Sequence, residues 1–162
     1  MKNVYTTTEK ITISALVVAL YVTVMLSTQS VAFGQYQIRI ATALYSLSAL
    51  FPFLVIPLGF ANFLSNALMG GLGIFDMAGG ILVGIATSGA VLLSQRTKTP
   101  ALLTALAITL IPGLCVPIWL SWILNVPYGI LAISLLGGQL IPGFCGAALI
   151  ATLKNRLQLK AV

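Results

Sequence analysis

Two charged side chains, Arg39 and Asp76, lie within or beside long apolar stretches of this sequence. The chain has only ten charged residues in 162, and the other eight lie near the N-terminus, in one loop at 96–98 and in the C-terminal tail. A charge at the centre of a membrane-spanning helix costs roughly 2.5–3.5 kcal/mol, so it is retained where the chain leaves the lipid or where function holds it. Arg39 and Asp76 are therefore the first candidates for a binding site.

Amide and aromatic side chains accompany these two charges. Such groups are costly in lipid unless they turn inward and form hydrogen bonds. A carboxylate accepts two parallel N–H donors, a guanidinium donates to a carbonyl, an amide does either, and an indole ring offers a stacking face. This chemistry suits a flat heterocycle. The candidate substrate-binding residues are Gln37, Arg39, Asn62, Asn66, Asp76, Trp122, Asn125 and Gln139.

Several of these residues also have a purely structural interpretation. Asp76 precedes an apolar run and can cap the start of a helix. Arg39 can be an interfacial anchor whose aliphatic stem extends toward the headgroups. Asn62 and Asn66 share a helix face at i, i+4 and can bond to neighbouring backbone. For Trp119 we favour an aromatic belt at the membrane boundary over a role in binding.

Motifs for catalysis and for energy conversion are missing from the sequence. There is no histidine, no phosphate-binding G-x-x-x-x-G-K-[ST] loop, and no H-E-x-x-H, G-x-S-x-G or C-x-x-C motif. The two acids, Glu9 and Asp76, are predicted on opposite sides of the membrane, which excludes paired-carboxylate chemistry. We expect no catalytic residue, metal, cofactor or nucleic-acid partner. If the chain takes part in uptake, another chain supplies the energy.

The composition predicts an integral membrane protein of the all-α class. The chain is 59% apolar and 6% charged with a mean hydropathy of +1.10, whereas soluble domains carry about 25% charged residues. Each spanning helix needs about 20 residues, so the chain can form a compact six-transmembrane-helix bundle that is one integral membrane domain, 1–162. The apolar runs lie at 11–27, 39–69, 77–94, 101–124 and 130–152.

The run at 39–69 decides the number of crossings. Pro52 and Pro57 allow either one kinked helix or two short helices joined by a tight turn. With six helices, the basic clusters and both termini lie on the cytoplasmic side, whereas five helices place one cluster on the wrong side. We therefore predict a turn at Pro52 to Pro57. The same topology places Arg39 and Asp76 together at the outer face.

Small residues at helical spacing form two pairs. Ala15 and Ala19 lie on the first predicted helix, and Gly80 and Gly84 lie on the fourth. Such small-xxx-small pairs let helices approach closely without polar contacts, and most of them serve packing alone.

Three segments resemble those of one transporter family. Segment 37–44 resembles the pattern Gln-x-Arg-Ile-x-Glu-Ala-Leu, and segments 61–62 and 70–76 resemble the patterns Ala-Asn and Gly-Leu-Gly-x-x-Asp. Over most of its length the chain resembles the substrate-binding S components of energy-coupling factor (ECF) transporters, in particular the queuosine-precursor transporter (QueT) family.

The resemblance implies an S component in a bacterial plasma membrane. It implies capture from outside of a 7-deazaguanine derivative, such as queuine or the cyano or aminomethyl base. The implied partners are a transmembrane scaffold subunit and two cytoplasmic ATPases, with Ala15 and Ala19 as the pair that docks on the scaffold. Thr42 and Gln139 stand where the family pattern leads us to expect carboxylates. A cationic aminomethyl group therefore loses its obvious partners here.

Each candidate residue receives an expected role in that site. We expect Asp76 to read the N–H edge of the base, with Arg39 and Gln37 at the pocket mouth or at the carbonyl of the base. Asn62, Asn66, Asn125 and Gln139 are expected to read further polar groups, and Trp122 to stack on the ring.

Other functions remain open at this point. The chain can be an S component for another vitamin-like solute, or a structural or assembly subunit without a transport role. A homo-oligomeric carrier and a membrane enzyme are further alternatives.

Overall fold

The computed structural model describes residues 5–70 and 72–157, and the regular structure throughout those ranges is helical. Lys2, Lys160 and Gly71, the last within the segment at 70–76, lie outside the described residues. In chain order the elements are α1 (Thr7–Ser27), the single-turn α2 (Gln29–Ala32), a 3₁₀ helix (Ile40–Ala49), a 3₁₀ turn (Pro52–Leu54), α3 (Val55–Ser65), a π-helical turn (Asn66–Gly70), α4 (Ile74–Ser94), α5 (Pro100–Leu124) and α6 (Tyr128–Leu157).

Five helical stretches in the described residues are long and apolar enough to cross a membrane. They are Thr7–Ser27, Pro52–Met69, Ile74–Ser94, Pro100–Leu124 and Tyr128–Arg156. The run at 39–69 is split, but earlier than the predicted turn at Pro52 to Pro57. The 3₁₀ helix ends at Ala49, a new helical stretch starts at Pro52, and Pro57 lies inside α3. The sixth predicted crossing is the ten-residue helix Ile40–Ala49, which is shorter than a usual span. The prediction of six spanning helices is therefore confirmed for five of them.

The 3₁₀ helix nevertheless extends deep into the bundle. At its start Arg39 contacts Asn66, whose amide reaches the backbone of Asp76, and near its end Ser48 donates a hydrogen bond to the Ser88 carbonyl (2.7 Å). Nine residues of 3₁₀ helix rise about 18 Å, and the twelve α-helical residues from Asp76 to Ser88 rise about the same. The 3₁₀ helix thus runs alongside α4 in the same direction.

The charged residues divide between the two ends of the bundle. We call the end where α1 and α5 finish and α4 and α6 begin the site end, and the opposite end the basic end. Arg39 and Asp76 lie at the site end, as predicted. At the basic end Lys154 donates to Gln95 Oε1 (2.6 Å). All five described basic residues other than Arg39 lie at that end: Lys10, Arg96, Lys98, Lys154 and Arg156. That both termini are cytoplasmic stays a prediction.

The core has two apolar clusters, and α1 contributes only a few of its residues to one of them. One cluster centres on Tyr21, Tyr45 and Ile108, and the other joins α4, α5 and α6 near the site end through residues such as Leu120 and Leu135. Only 11% of the most apolar window of α1 is buried, against 39–44% for the other four spans. Most of α1 therefore faces outward.

Glycines allow α3 and α4 to approach each other closely. A Cβ atom on Gly84 would lie 2.7 Å from the Cα atom of Gly59, which is too short for a real contact. This contact confirms the close packing expected at Gly84. On the same helix, a Cβ atom on Gly89 would meet nothing within 4 Å.

We predict that Gly84→Ala destabilises the bundle and that Gly89→Ala does not. The extra methyl at position 84 must push the helices apart, and overpacking typically costs about 1–3 kcal/mol. At position 89 the same change gains up to about 1 kcal/mol of helix propensity. Thermal unfolding of the two purified variants in one detergent measures the difference. Equal melting temperatures would contradict the close α3–α4 packing.

Candidate functional site

Arg39 is the centre of a buried polar network at the site end. Its side chain is 4% exposed, and Nη1 donates to Oδ1 of Asn62 (3.2 Å) and to Oδ1 of Asn66 (3.1 Å). The guanidinium carbon also lies 4.8 Å from the centroid of the Phe33 ring, within the range of a cation–π contact. The alternative of an exposed interfacial anchor is therefore wrong.

Asn62 and Asn66 connect Arg39 to α4. Nδ2 of Asn62 donates to the Gly80 carbonyl (2.9 Å), and Nδ2 of Asn66 donates to the backbone carbonyl of Asp76 (3.0 Å). The two asparagines thus bond to neighbouring backbone, as the structural interpretation expected, and they also hold the arginine. Their role in substrate binding stays a prediction. Asn66 begins the π-helical turn that follows α3, a feature that is frequent at functional sites.

Asp76 is the third residue of α4 and is 2% exposed. The residue that caps this helix is Gly73, without a side-chain hydrogen bond, so the interpretation of Asp76 as the N-cap is wrong. Its Oδ1 atom accepts a hydrogen bond from Nε1 of Trp119 (3.0 Å). The positive end of the helix dipole favours a carboxylate in this first turn.

Trp119 is a functional candidate that the sequence analysis assigned to the aromatic belt. Its ring packs directly over Gly79, where a Cβ atom would lie 2.6 Å from the indole. The glycine three residues after Asp76 therefore makes room for the indole to reach the carboxylate. In the sequence, a glycine on the same face of α4 as Asp76 indicates that a large side chain from a neighbouring helix packs there.

Two buried atoms of this network have no hydrogen-bond partner among the residues that the structure describes. They are Nε of Arg39, a donor, and Oδ2 of Asp76, an acceptor. Arg39 and Asp76 form no direct ion pair, and Asn66 is the side chain that links them. Leaving a buried polar group unpaired costs about 1–3 kcal/mol, and more for a charged group. The network therefore presents one unused donor and one unused acceptor of opposite charge.

A second polar group at the site end involves Gln139, Thr42 and Gln37. Nε2 of Gln139 donates to the Gln37 carbonyl (3.0 Å), and the Thr42 hydroxyl lies 3.1 Å from Oε1 of Gln139. Gln37 has a φ of 44°, in the left-handed region that few non-glycine residues adopt. The amide of Gln139 is thus used to hold the loop before the 3₁₀ helix, and it supports the site without a free group of its own.

A cavity of about 390 Å³ lies at the site end and is mostly apolar. It falls within the usual size range of ligand pockets, about 300–1,000 Å³. Of the eight candidate binding residues, Gln37 alone lines it, but Phe33 both lines the cavity and stacks on Arg39. The cavity wall is therefore one aromatic ring away from the guanidinium. Further lining residues include Leu72, Leu120, Leu131 and Leu135.

The family model described as QueT transporter matches residues 11–155. The chain belongs to the QueT transporter family. No curated protein and no solved structure matches it. Family membership and the five apolar helices together make the chain a multi-pass membrane protein that acts in transport and not in catalysis.

Two candidate residues of this QueT family member lie away from the buried network. Trp122 is 85% exposed, on the surface of α5 near Phe75 and Ile118. Asn125 is exposed and forms the left-handed end of α5, with a φ of 54°. These positions correct the sequence analysis, which expected Trp122 to stack on the ligand and Asn125 to read its polar groups, because neither side chain lies in the buried network of Arg39 and Asp76.

The small-residue pair Ala15 and Ala19 is exposed on α1. Both residues line a shallow apolar groove of about 780 Å³ between α1 and α3, together with Ile56 and Phe60. The pair is therefore available on the outer surface of the bundle, where a docking role requires it.

We predict that Asn66→Ala destabilises the fold, since it removes an acceptor from buried Arg39 and a donor from the Asp76 carbonyl. The expected loss is about 1–3 kcal/mol of unfolding free energy. The matched control is Asn125→Gly, which changes an exposed residue whose positive φ suits glycine and should alter stability by less than about 0.5 kcal/mol. Chemical or thermal unfolding in detergent compares them. If both variants are as stable as the wild type, the asparagine link does not hold the network together.

Proposed function

We propose that this QueT family member is the substrate-binding S component of an ECF importer and captures a queuosine precursor, a 7-deazaguanine derivative. The observation that carries the proposal is a pair of buried atoms, Nε of Arg39 and Oδ2 of Asp76, that have no hydrogen-bond partner in the described part of the chain. A guanine-type edge carries a carbonyl acceptor beside N–H donors, and so it matches one free donor and one free acceptor.

The charge of the site favours a neutral base. Among the described residues at the site end, Arg39 and Asp76 contribute one positive and one negative charge, which cancel. Thr42 and Gln139, which stand in place of the expected carboxylates, hydrogen-bond to each other and to backbone. A cyano substituent therefore fits this site better than a protonated aminomethyl group, whose charge would enter without a partner carboxylate.

The apolar cavity supplies the remaining contacts. Its volume of about 390 Å³ accommodates a fused two-ring base, and its leucine-rich wall stabilises the flat faces by burial from water. Phe33 joins the two parts of the site, because its ring lines the cavity and also contacts Arg39.

The energy for uptake comes from partner subunits in this proposal. A transmembrane scaffold subunit binds the groove between α1 and α3, and two cytoplasmic ATPases hydrolyse ATP. The resemblance of the sequence to ECF S components supports this arrangement, as does the exposure of Ala15 and Ala19 on a helix that faces mostly outward. The membrane is then a bacterial plasma membrane with the basic end inside, in keeping with the positive-inside rule.

We predict that the purified chain binds 7-cyano-7-deazaguanine and that Asp76→Asn weakens binding about ten- to a hundredfold. The variant replaces an acceptor oxygen and its charge, and hydrogen bonds to charged groups contribute about 1.5–3 kcal/mol. Glu9→Gln is the matched control, because Glu9 is the other acid of the chain and lies at the basic end. Calorimetry or ligand-induced thermal stabilisation measures the affinities.

Two results of that experiment would reject the proposal. Stabilisation by a different vitamin-like solute and by no purine-type base would assign another substrate. The absence of any ligand-induced stabilisation, with Asp76→Asn as functional as the wild type, would favour a structural or assembly subunit.

We predict that Ala15→Leu combined with Ala19→Leu abolishes uptake but leaves ligand affinity within about twofold. Two leucines fill the groove that a partner helix needs, whereas the binding network lies in other helices. Ala86→Leu, at an exposed alanine of α4, is the control and should retain uptake. Uptake is measured in cells that produce the scaffold and ATPase subunits, and affinity on the purified variants. Uptake at the wild-type rate by the double variant would exclude this docking surface.

A further inference from the structure

Trp119 separates the buried carboxylate of Asp76 from the outer surface of the bundle. On one side its Nε1 atom donates to Oδ1 of Asp76 (3.0 Å). On the other side its ring lines an apolar surface groove of about 330 Å³ with Phe75, Ile118 and Trp122. The same ring packs against the apolar cluster whose residues, such as Leu120, also line the ligand cavity.

A buried carboxylate needs a second restraint to present one oxygen in a fixed direction. The terminal torsion of an aspartate side chain is broad, with two equivalent orientations, so the backbone alone does not set the plane of the carboxylate. The indole N–H is the only side-chain hydrogen bond that Asp76 receives among the described residues. It holds Oδ1 and thereby fixes the position of Oδ2, which has no partner.

We propose that Trp119 is a positioning residue that gives the site its preference for bases with two adjacent N–H donors. This inference rests on the proposed function. A carboxylate in a fixed plane accepts two parallel donors, as it does from a guanidinium, and each oxygen has a lone pair to spare after the indole bond. A carboxylate that is free to rotate still accepts a hydrogen bond from one N–H donor, but it is no longer aligned to accept one from the second donor.

The test compares two neutral bases that differ in the exocyclic amine alone, 7-deazaguanine and 7-deazahypoxanthine. The wild type should bind the first at least about tenfold more tightly, because the second donor reaches a charged acceptor. Trp119→Phe keeps the aromatic ring and removes the N–H, and it should reduce this preference to about threefold or less. Trp122→Phe, one turn later on the same helix and exposed, should keep the wild-type preference.

A second variant reaches the same hydrogen bond without altering the tryptophan. Gly79→Ala places a methyl group against the indole and displaces it from Asp76, so the preference should fall as in Trp119→Phe. Gly89→Ala, which adds a methyl in open space on the same helix, is its control. Thermal unfolding without ligand confirms that the variants are folded.

The outcomes distinguish this inference from the proposed function. If Trp119→Phe and Gly79→Ala weaken binding of both bases equally, or leave the preference unchanged, Trp119 has a merely structural role and the inference is wrong while the proposed function stands. If the wild type binds neither base nor any other deazaguanine, the proposed function fails and the inference fails with it.

Discussion

A guanidinium buried among apolar helices must have hydrogen-bond acceptors, and the site end of this protein is arranged around that requirement. Arg39 cannot lose its charge, and its burial is stable only because Asn62 and Asn66 supply two oxygens. The asparagines in turn bond to the α4 backbone, which fixes the start of that helix and the carboxylate on its first turn. One cation thereby sets the relative positions of the 3₁₀ helix, α3 and α4.

The same region depends on the absence of side chains at chosen points of α4. Gly79 admits the indole of Trp119, Gly80 lies against the two asparagine amides, and Gly84 lets α3 approach. Seven of the nine buried residues of α4 are thus small or polar, and the other two are valines. This face of α4 is shaped for contacts with polar side chains of its neighbours, and lipid contact is left to the opposite face.

Much of this arrangement could be predicted from the sequence, and the limits have physical causes. The rarity of charges in an apolar chain was enough to place Arg39 and Asp76 at one end and to predict a turn within the run at 39–69. The turn was predicted at Pro52 to Pro57, whereas the chain breaks just before Pro52. The orientation of the two tryptophans could not be predicted. Trp119 and Trp122 are three residues apart, about 60° around the helix, and α5 is apolar on every side. No periodicity shows which of the two faces inward.

Gln139 marks the same limit for amide groups. Its residue type and depth predicted a ligand contact, but its partner is a backbone carbonyl that becomes available only because Gln37 adopts a left-handed conformation. Asn125 is a second example. An asparagine can serve either as a binding amide or as the left-handed end of a helix, and here it forms the helix end. For both residues the hydrogen-bonding capacity of the amide could be predicted from the sequence. The backbone conformation that decides which partner the amide binds could not.

The 3₁₀ form of the helix Ile40–Ala49 sets the distance that this segment can span. A 3₁₀ segment rises about 2.0 Å per residue and an α-helix 1.5 Å, so rewinding the ten residues Ile40–Ala49 into α form would shorten the segment by about 5 Å. Arg39 sits at one end of this segment and Ser48, bonded to α4, near the other. An α-helix of the same ten residues would therefore be too short to reach both anchors, and the 3₁₀ form is what lets this segment span the depth of α4 between them.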